Sequence, residues 1–437
     1  MYKFQTLNKA LDKIIKVIFV ILIGLIFYTY YRSEVLYGGL YRDYYLKYYI
    51  FLVFSLFILI ILNFFNEKIK IRIYSILISI IFGFYICEML LIDFKNLNTK
   101  TKYQYYLDLN KEKDAVVSIY PAKFILKNVN QKELFPLSGI SEKLTIYCKK
   151  RENKEFVTYI SDRYGFRNDD SNWDKKNIDF VLLGDSLVQG SCVHENKTIN
   201  SQISQNEFDI EIYTINLGMS GNGPLLEYAT LKEYLKYIKT KKVLYFFNEN
   251  NDFSNLQLEL KDPLLKKYLD NKFHQGLINK QAEIDRINNS LLKEEIKNKG
   301  TPLFDFIKLS KLRSLFSVIL NKKFKSQNSK SLKRNFQIYN DILINLKKLT
   351  NNQNAELYFI YMPAVENFLD TDSELKSEIY TKVMMMVQNL NIKYIDIQNK
   401  LKSEHKDPLS MFSLRKNQHL NEMGYKFVAE TIIKEIK

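Results

Sequence analysis

The chain has 437 residues and a formal net charge of +16. That length divides into two or three units, and the positive surplus is open to two readings: a Lys-rich composition, or a basic face for anionic lipid or glycan. Basic residues do not interleave with aromatics in a nucleic-acid-binding pattern, so no nucleic-acid partner is expected. The three cysteines form no Cys-x-x-Cys or Cys/His cluster, so neither a metal nor another cofactor is expected.

The first 95 residues read as a membrane region. Val17–Tyr31 and Tyr48–Asn66 are uncharged, and Ile73–Ile92 carries only Glu88. A spanning helix needs roughly 20 mostly apolar residues, so three transmembrane helices are expected. A cleaved signal peptide is the rival for the first run. The two further runs and the lack of a small-residue cleavage site disfavour it. Glu88, close to a helix end, is assigned to the interface. Lys3, Lys9, Lys13 and Lys16 precede the first run, and Lys68, Lys70 and Arg72 fill the second loop. This weak positive-inside bias directs the rest of the chain out of the cytoplasm, to the periplasmic side of a bacterial inner membrane.

Residues 96–175 read as a linker and a small β-rich collar. In it "KLTIYCKK" and "EFVTYISD" form a plausible hairpin, and "SDRYGFRNDD" supplies turn residues. From 176 the pattern changes. Buried-looking strands at Ile178–Leu183, Ile210–Leu217, Val243–Phe247, Leu357–Tyr361 and Ile392–Ile397 alternate with helical stretches such as Leu225–Ile238 and Asp372–Leu390. This is an α/β pattern, a mainly parallel five-stranded sheet inside a three-layer α/β/α sandwich. Residues 253–350 interrupt it as a polar helical insertion: a lid, a partner-binding arm or an inert hairpin. Cys148 and Cys192 flank the first strand, as one disulfide or as two free thiols.

Four short segments fall at strand ends or before the last helix. "GDSL" places Ser186 after the first strand, and "NLGMSGNGP" follows the second. "NENND" follows the third, and "NQHLNEMGY" precedes the final helix. In this order they resemble the SGNH hydrolase superfamily, the GDSL lipases and esterases, over roughly 176–252 and 355–437. The resemblance implies Ser186 as nucleophile and His419 as base. It implies an oxyanion hole built from the Ser186 N–H, Gly221 (Gly218 being the alternative) and Asn251. His194 is the rival base.

One departure stands out. The family's aspartate, two or three residues before the histidine, is replaced by Lys416 and Asn417. Three readings follow: a Ser-His dyad supported by Asn417 or by backbone, a carboxylate from elsewhere such as Asp407 or Glu404, or an impaired site. An Asn carbonyl orients histidine in Cys-His-Asn sites. The expected function is a membrane-anchored, extracytoplasmic ester hydrolase acting on an O-acetylated glycan or lipid ester. Its alternatives are an O-acyltransferase for an envelope polysaccharide, served by a separate membrane acyl-donor partner, and a non-catalytic binding protein of the same fold.

Overall fold

A computed structural model describes residues 2–36, 39, 42–62, 64–91, 100–127, 134–150, 152–205, 211–297, 306–323, 329–369 and 374–436. The chain forms two compact units, residues 1–97 with 300–325, and 98–299 with 326–437. The expected boundary at 95/96 lies outside the described residues.

The first unit contains α1 (Tyr2–Tyr30), continued by a π-helical turn Tyr31–Leu36, α2 (Arg42–Leu62) and α3 (Glu67–Leu90); the stretches Ile15–Val35, Tyr45–Leu62 and Lys68–Leu90, of 21, 18 and 23 residues, are long and apolar enough to cross a membrane. Their apolar side chains point outward: Val20, Phe51 and Phe82 are each about two-thirds exposed. A narrow seam of Leu59, Leu62 and Tyr74, packed by Ile15, Ile18 and Leu22, joins the helices. Asn66 starts α3 by accepting the Ile69 N–H at 3.0 Å. A helix from the insertion, Ser310–Lys323, belongs to this unit too. Glu88, expected at an interface, is buried (1 % exposed), and its carboxylate accepts backbone N–H groups of that helix.

The second unit holds two sheets. In the smaller one β1 (Ala115–Val117) runs parallel to β2 (Leu144–Lys149), which pairs antiparallel with β3 (Phe156–Ile160). The larger sheet contains β4 (Ile178–Leu183), β5 (Thr214–Asn216), β6 (Thr240–Phe247), β7 (Glu356–Tyr361) and β8 (Lys393–Asp396). All its pairings are parallel, in the order β5-β4-β6-β7-β8. β5 is shorter than the apolar run that foretold it, and residues 206–210, where that run begins, lie outside the described residues.

Strand side chains alternate between two cores, as the period of two requires. Val181, Leu183, Val243, Tyr245, Phe247 and Phe359 pack against α6 (Pro224–Tyr234), α9 (Ser329–Asn352) and α10 (Glu374–Asn389). Phe180, Leu182, Leu244, Phe246 and Ile360 pack against α4 (Ser186–Gln189), α5 (Ile199–Ser204), α11 (Ile397–Glu404) and α12 (Glu422–Ile436). Helices on both faces make the three-layer α/β/α sandwich. Between β6 and β7 the insertion runs through α7 (Asp252–Glu259) and α8 (Gln281–Lys297), enters the first unit, and returns in α9.

The chain leaves β4 for β5 on one side and later returns to β6 on the other. The strand order therefore reverses at β4, which opens a crevice beyond its carboxyl end. Cys148 on β2 is disulfide-bonded to Cys192, Cα–Cα 5.7 Å, which joins the small sheet to the loop after α4. Of the two readings left open by the sequence, the bonded one holds.

The two cysteines are 44 residues apart in sequence. Closing a loop of that size removes about 4 kcal/mol of unfolded-state entropy. Reduction, or replacing both cysteines by serine, is expected to lower the melting temperature of the full chain in a thermal scan. An unchanged scan would show that the bond adds no stability.

Candidate active site

Ser186 is the first residue of α4, directly after β4 and the Gly184-Asp185 turn. Gly184 is required there: a Cβ would fall 2.5 Å from Val188 Cγ2, so any side chain would push the helix off the strand. Asp185 caps α4 by accepting the Leu187 N–H at 2.8 Å. The Ser186 side chain reaches across the crevice to His419, Oγ to Nε2 2.9 Å. These two residues, 233 apart in sequence, form the centre of the site.

The three expected oxyanion donors differ in kind. The N–H of Ser186 has no acceptor within its helix, and among the described residues none outside it. The Gly221 N–H is likewise unspent among the described residues. Gly221 sits at φ +75°, in the left-handed region that favours glycine, whereas Gly218 gives its N–H to Asn216 Oδ1. That leaves Gly221, not Gly218, with a donor to offer. Asn251 donates from Nδ2 to Asp185 Oδ2 at 2.8 Å. This bond fixes the amide orientation, since the flipped form would set two oxygens against each other. One Nδ2 hydrogen remains for a substrate.

Several residues that carried no sequence signal hold these loops. Gln189 Oε1 accepts both the N–H and the hydroxyl of Ser220, which ties α4 to the Gly221 loop. Arg167, fully buried between Tyr147 and Tyr159, donates to the carbonyls of Gln189, Gly190 and Val193 and pairs with Glu195 at 2.6 Å. In "SDRYGFRNDD", read as turn residues, Asp162 collects the N–H groups of Tyr164 and Phe166 and the side chains of Asn168 and Trp173. Burial pushes its carboxyl up to about 6. A pattern of separated polar residues with partners up to tens of positions away leaves no local trace.

His419 stands on a closed loop. Phe412 bridges antiparallel to Leu420, and the Ser413 N–H donates to the His419 carbonyl at 3.0 Å. Leu414 and Arg415, at φ +52° and +56°, make the turn. Asn417 closes it through its backbone N–H to the Ser413 carbonyl, and among the described residues no hydrogen bond joins its side chain to His419. Asp407 is held by Arg415 at 2.8 Å, and Glu404 pairs with Lys400 at 3.8 Å. His194 pairs with Glu155 at 3.2 Å. A different carboxylate enters the same crevice: Glu152, from the β2–β3 hairpin, accepts the Ser413 hydroxyl. The sequence reading passed over it because it belongs to the small sheet.

Beside His419 lies a cavity of about 600 Å³, lined by Asn417, Lys149, Lys150 and Glu152 with Leu414 and Met423 at an apolar edge; Ser186, Gly221 and Asn251 are not part of its lining. Beneath the oxyanion loops lies a buried group of acids: Asp185, Glu227, Asp252 and Glu259 are each at most 3 % exposed. Burial, and then the charges of Asp252, Asp185 and Glu259, hold Glu227 well above the usual carboxylate range. Glu259 accepts the N–H groups of Gly223 and Leu225 at the start of α6, and burial still raises it to about 8. The described residues contain no group of three or more His, Cys, Asp or Glu arranged to hold a metal ion.

No family model matches the chain, and no curated protein matches it in sequence. Solved structures of GDSL proteins are similar to it. A lipolytic protein of the G-D-S-L family from Veillonella parvula is 10% identical, over 59% of this chain and 97% of its own, with a TM-score of 0.34. A lipase/acylhydrolase from Enterococcus faecalis is 13% identical, over 59% and 95%, with a TM-score of 0.34. An acetyl xylan esterase is 13% identical, over 60% and 100%, with a TM-score of 0.33.

Glu259 sets a pH dependence. Its folded value of about 8 lies above the ordinary 4.5, so the folded state holds the proton more tightly. The stability from that proton is complete below about 4.5 and is lost as the pH rises through 8. In denaturant titrations between about pH 5 and 9, the wild type is expected to lose stability more steeply than Glu259→Gln. Parallel curves would remove this group from the account.

Proposed function

We propose that this protein is a membrane-anchored serine ester hydrolase. The observation that carries the reading is the Ser186–His419 contact at 2.9 Å; the unspent N–H groups of Ser186 and Gly221 and the Asn251 amide held on Asp185 support it. Ser186 Oγ attacks an ester carbonyl while His419 Nε2 takes its proton. The Ser186 N–H, the Gly221 N–H and Asn251 Nδ2 receive the oxyanion. His419 returns the proton to the leaving alcohol. Water then attacks the acyl-serine by the same route, releasing the acid.

The closed loop presents His419 to Ser186, and Asn417 takes part in that loop through its backbone hydrogen bond to Ser413. Lys149, Lys150, Glu152 and Asn417 in the cavity beside His419 suit the hydroxyl groups of an alcohol such as a glycan, and Leu414 and Met423 suit a short acyl chain. The substrate class that fits is an O-acylated glycan of the cell envelope. The Cys148–Cys192 bond favours an oxidising compartment outside the cytoplasm.

The test is labelling of the purified full chain with a fluorophosphonate probe, together with hydrolysis of a short p-nitrophenyl ester. Both are expected in wild type and absent in Ser186→Ala. A well-folded wild type that neither labels nor hydrolyses would overturn the reading. Asn251→Ala is expected to lower kcat by about 10²–10³, the usual loss for one oxyanion donor.

A further inference from the structure

The middle of the insertion belongs to the unit of apolar helices. Its helix Ser310–Lys323 is fastened at its start to the far end of α3. Glu88 Oε1 accepts the Lys311 N–H at 2.9 Å and Oε2 the Leu312 N–H at 2.7 Å. Both donors lie in the first turn, where no intrahelical acceptor exists. One turn earlier on α3, the Tyr85 hydroxyl donates to the Ile307 carbonyl at 3.1 Å, and its ring lies 5.5 Å from that of Phe306.

The segment so fastened has two properties that water does not reconcile. Ile307, Leu315 and Phe316 are 52 %, 46 % and 48 % exposed. Between 306 and 323 the sequence carries five cations, Lys308, Lys311, Arg313, Lys322 and Lys323, and no acid. An apolar surface next to a purely cationic one is the composition of a helix lying in a bilayer interface, with its apolar side chains among the acyl chains and its cations at anionic headgroups.

We propose that residues 306–323 form an in-plane membrane-surface helix, tied to the end of α3 by Glu88, whose cations bind anionic lipid headgroups. This rests on the reading that α1–α3 span a bilayer.

The test uses the full chain in phosphatidylcholine–phosphatidylglycerol vesicles. Phe316→Trp reports on the helix, and Phe57→Trp, in the middle of α2, reports on the spans. The signal of native Trp173 is subtracted with wild-type protein. Lipids brominated near the headgroup end of the chain are expected to quench the Phe316→Trp signal about twofold or more, and those brominated near the chain end to quench it less. Phe57→Trp is expected to show the reverse order. Adding Glu88→Leu to Phe316→Trp, or omitting phosphatidylglycerol, is expected to reduce the shallow quenching. If Phe57→Trp is quenched while Phe316→Trp is instead reached by aqueous iodide, the surface helix is wrong and the spans stand. If neither is quenched, both fall. If Phe316→Trp emission follows the protein-to-lipid ratio and ignores bromine, the apolar face covers a second copy and the proposal is overturned.

Discussion

The first N–H of a helix has no acceptor inside that helix, and Ser186 occupies that position at the end of β4. The rest of the site serves this unspent donor. Gly184 lets Val188 close over the turn, so that α4 leaves the strand at once and its amino end faces the crevice. Asp185 spends one carboxylate oxygen on the cap and the other on Asn251, so one side chain both starts the helix and aims the second donor. Gln189, a turn later, holds the third donor's loop through Ser220. A helix of four residues is too short to hold its place by propensity. Arg167, with three carbonyls in its grip, takes over that task.

The sheet was readable because its central strands carry the apolar runs of parallel strands buried on both faces, though Asp179 interrupts β4 and edge strand β8 exposes Lys393 and Tyr394. Ser186, Gly221, Asn251 and His419 were singled out by the order of four short segments and the family resemblance they carry, not by any segment alone. The lengths were less legible. β5 is three residues long, although Leu217 and Met219 beyond it still donate to the Leu182 and Gly184 carbonyls, and hydrophobicity does not record where a regular ladder starts or stops.

What the sequence hid are side-chain networks. Asp162 gathers donors two to eleven residues further along the chain, a network that "SDRYGFRNDD" does not announce. Glu152 meets Ser413 across 261 residues, a partner no local pattern points to. The insertion was ambiguous for the same cause: its helices are polar in pattern, and nothing local marks 300–325 as part of another unit.

The Glu88 bonds to Lys311 and Leu312 give the first unit a history as well as a shape. Those partners follow Glu88 by 223 and 224 residues. At about 5–20 residues per second, the ribosome needs roughly ten to forty-five seconds to make them. During that interval α1–α3 are complete while the carboxylate at the end of α3 still lacks the helix whose N–H groups it accepts. The first unit therefore matures in two stages, and its second stage waits for β4, α4 and the whole Ser186 loop to have left the ribosome.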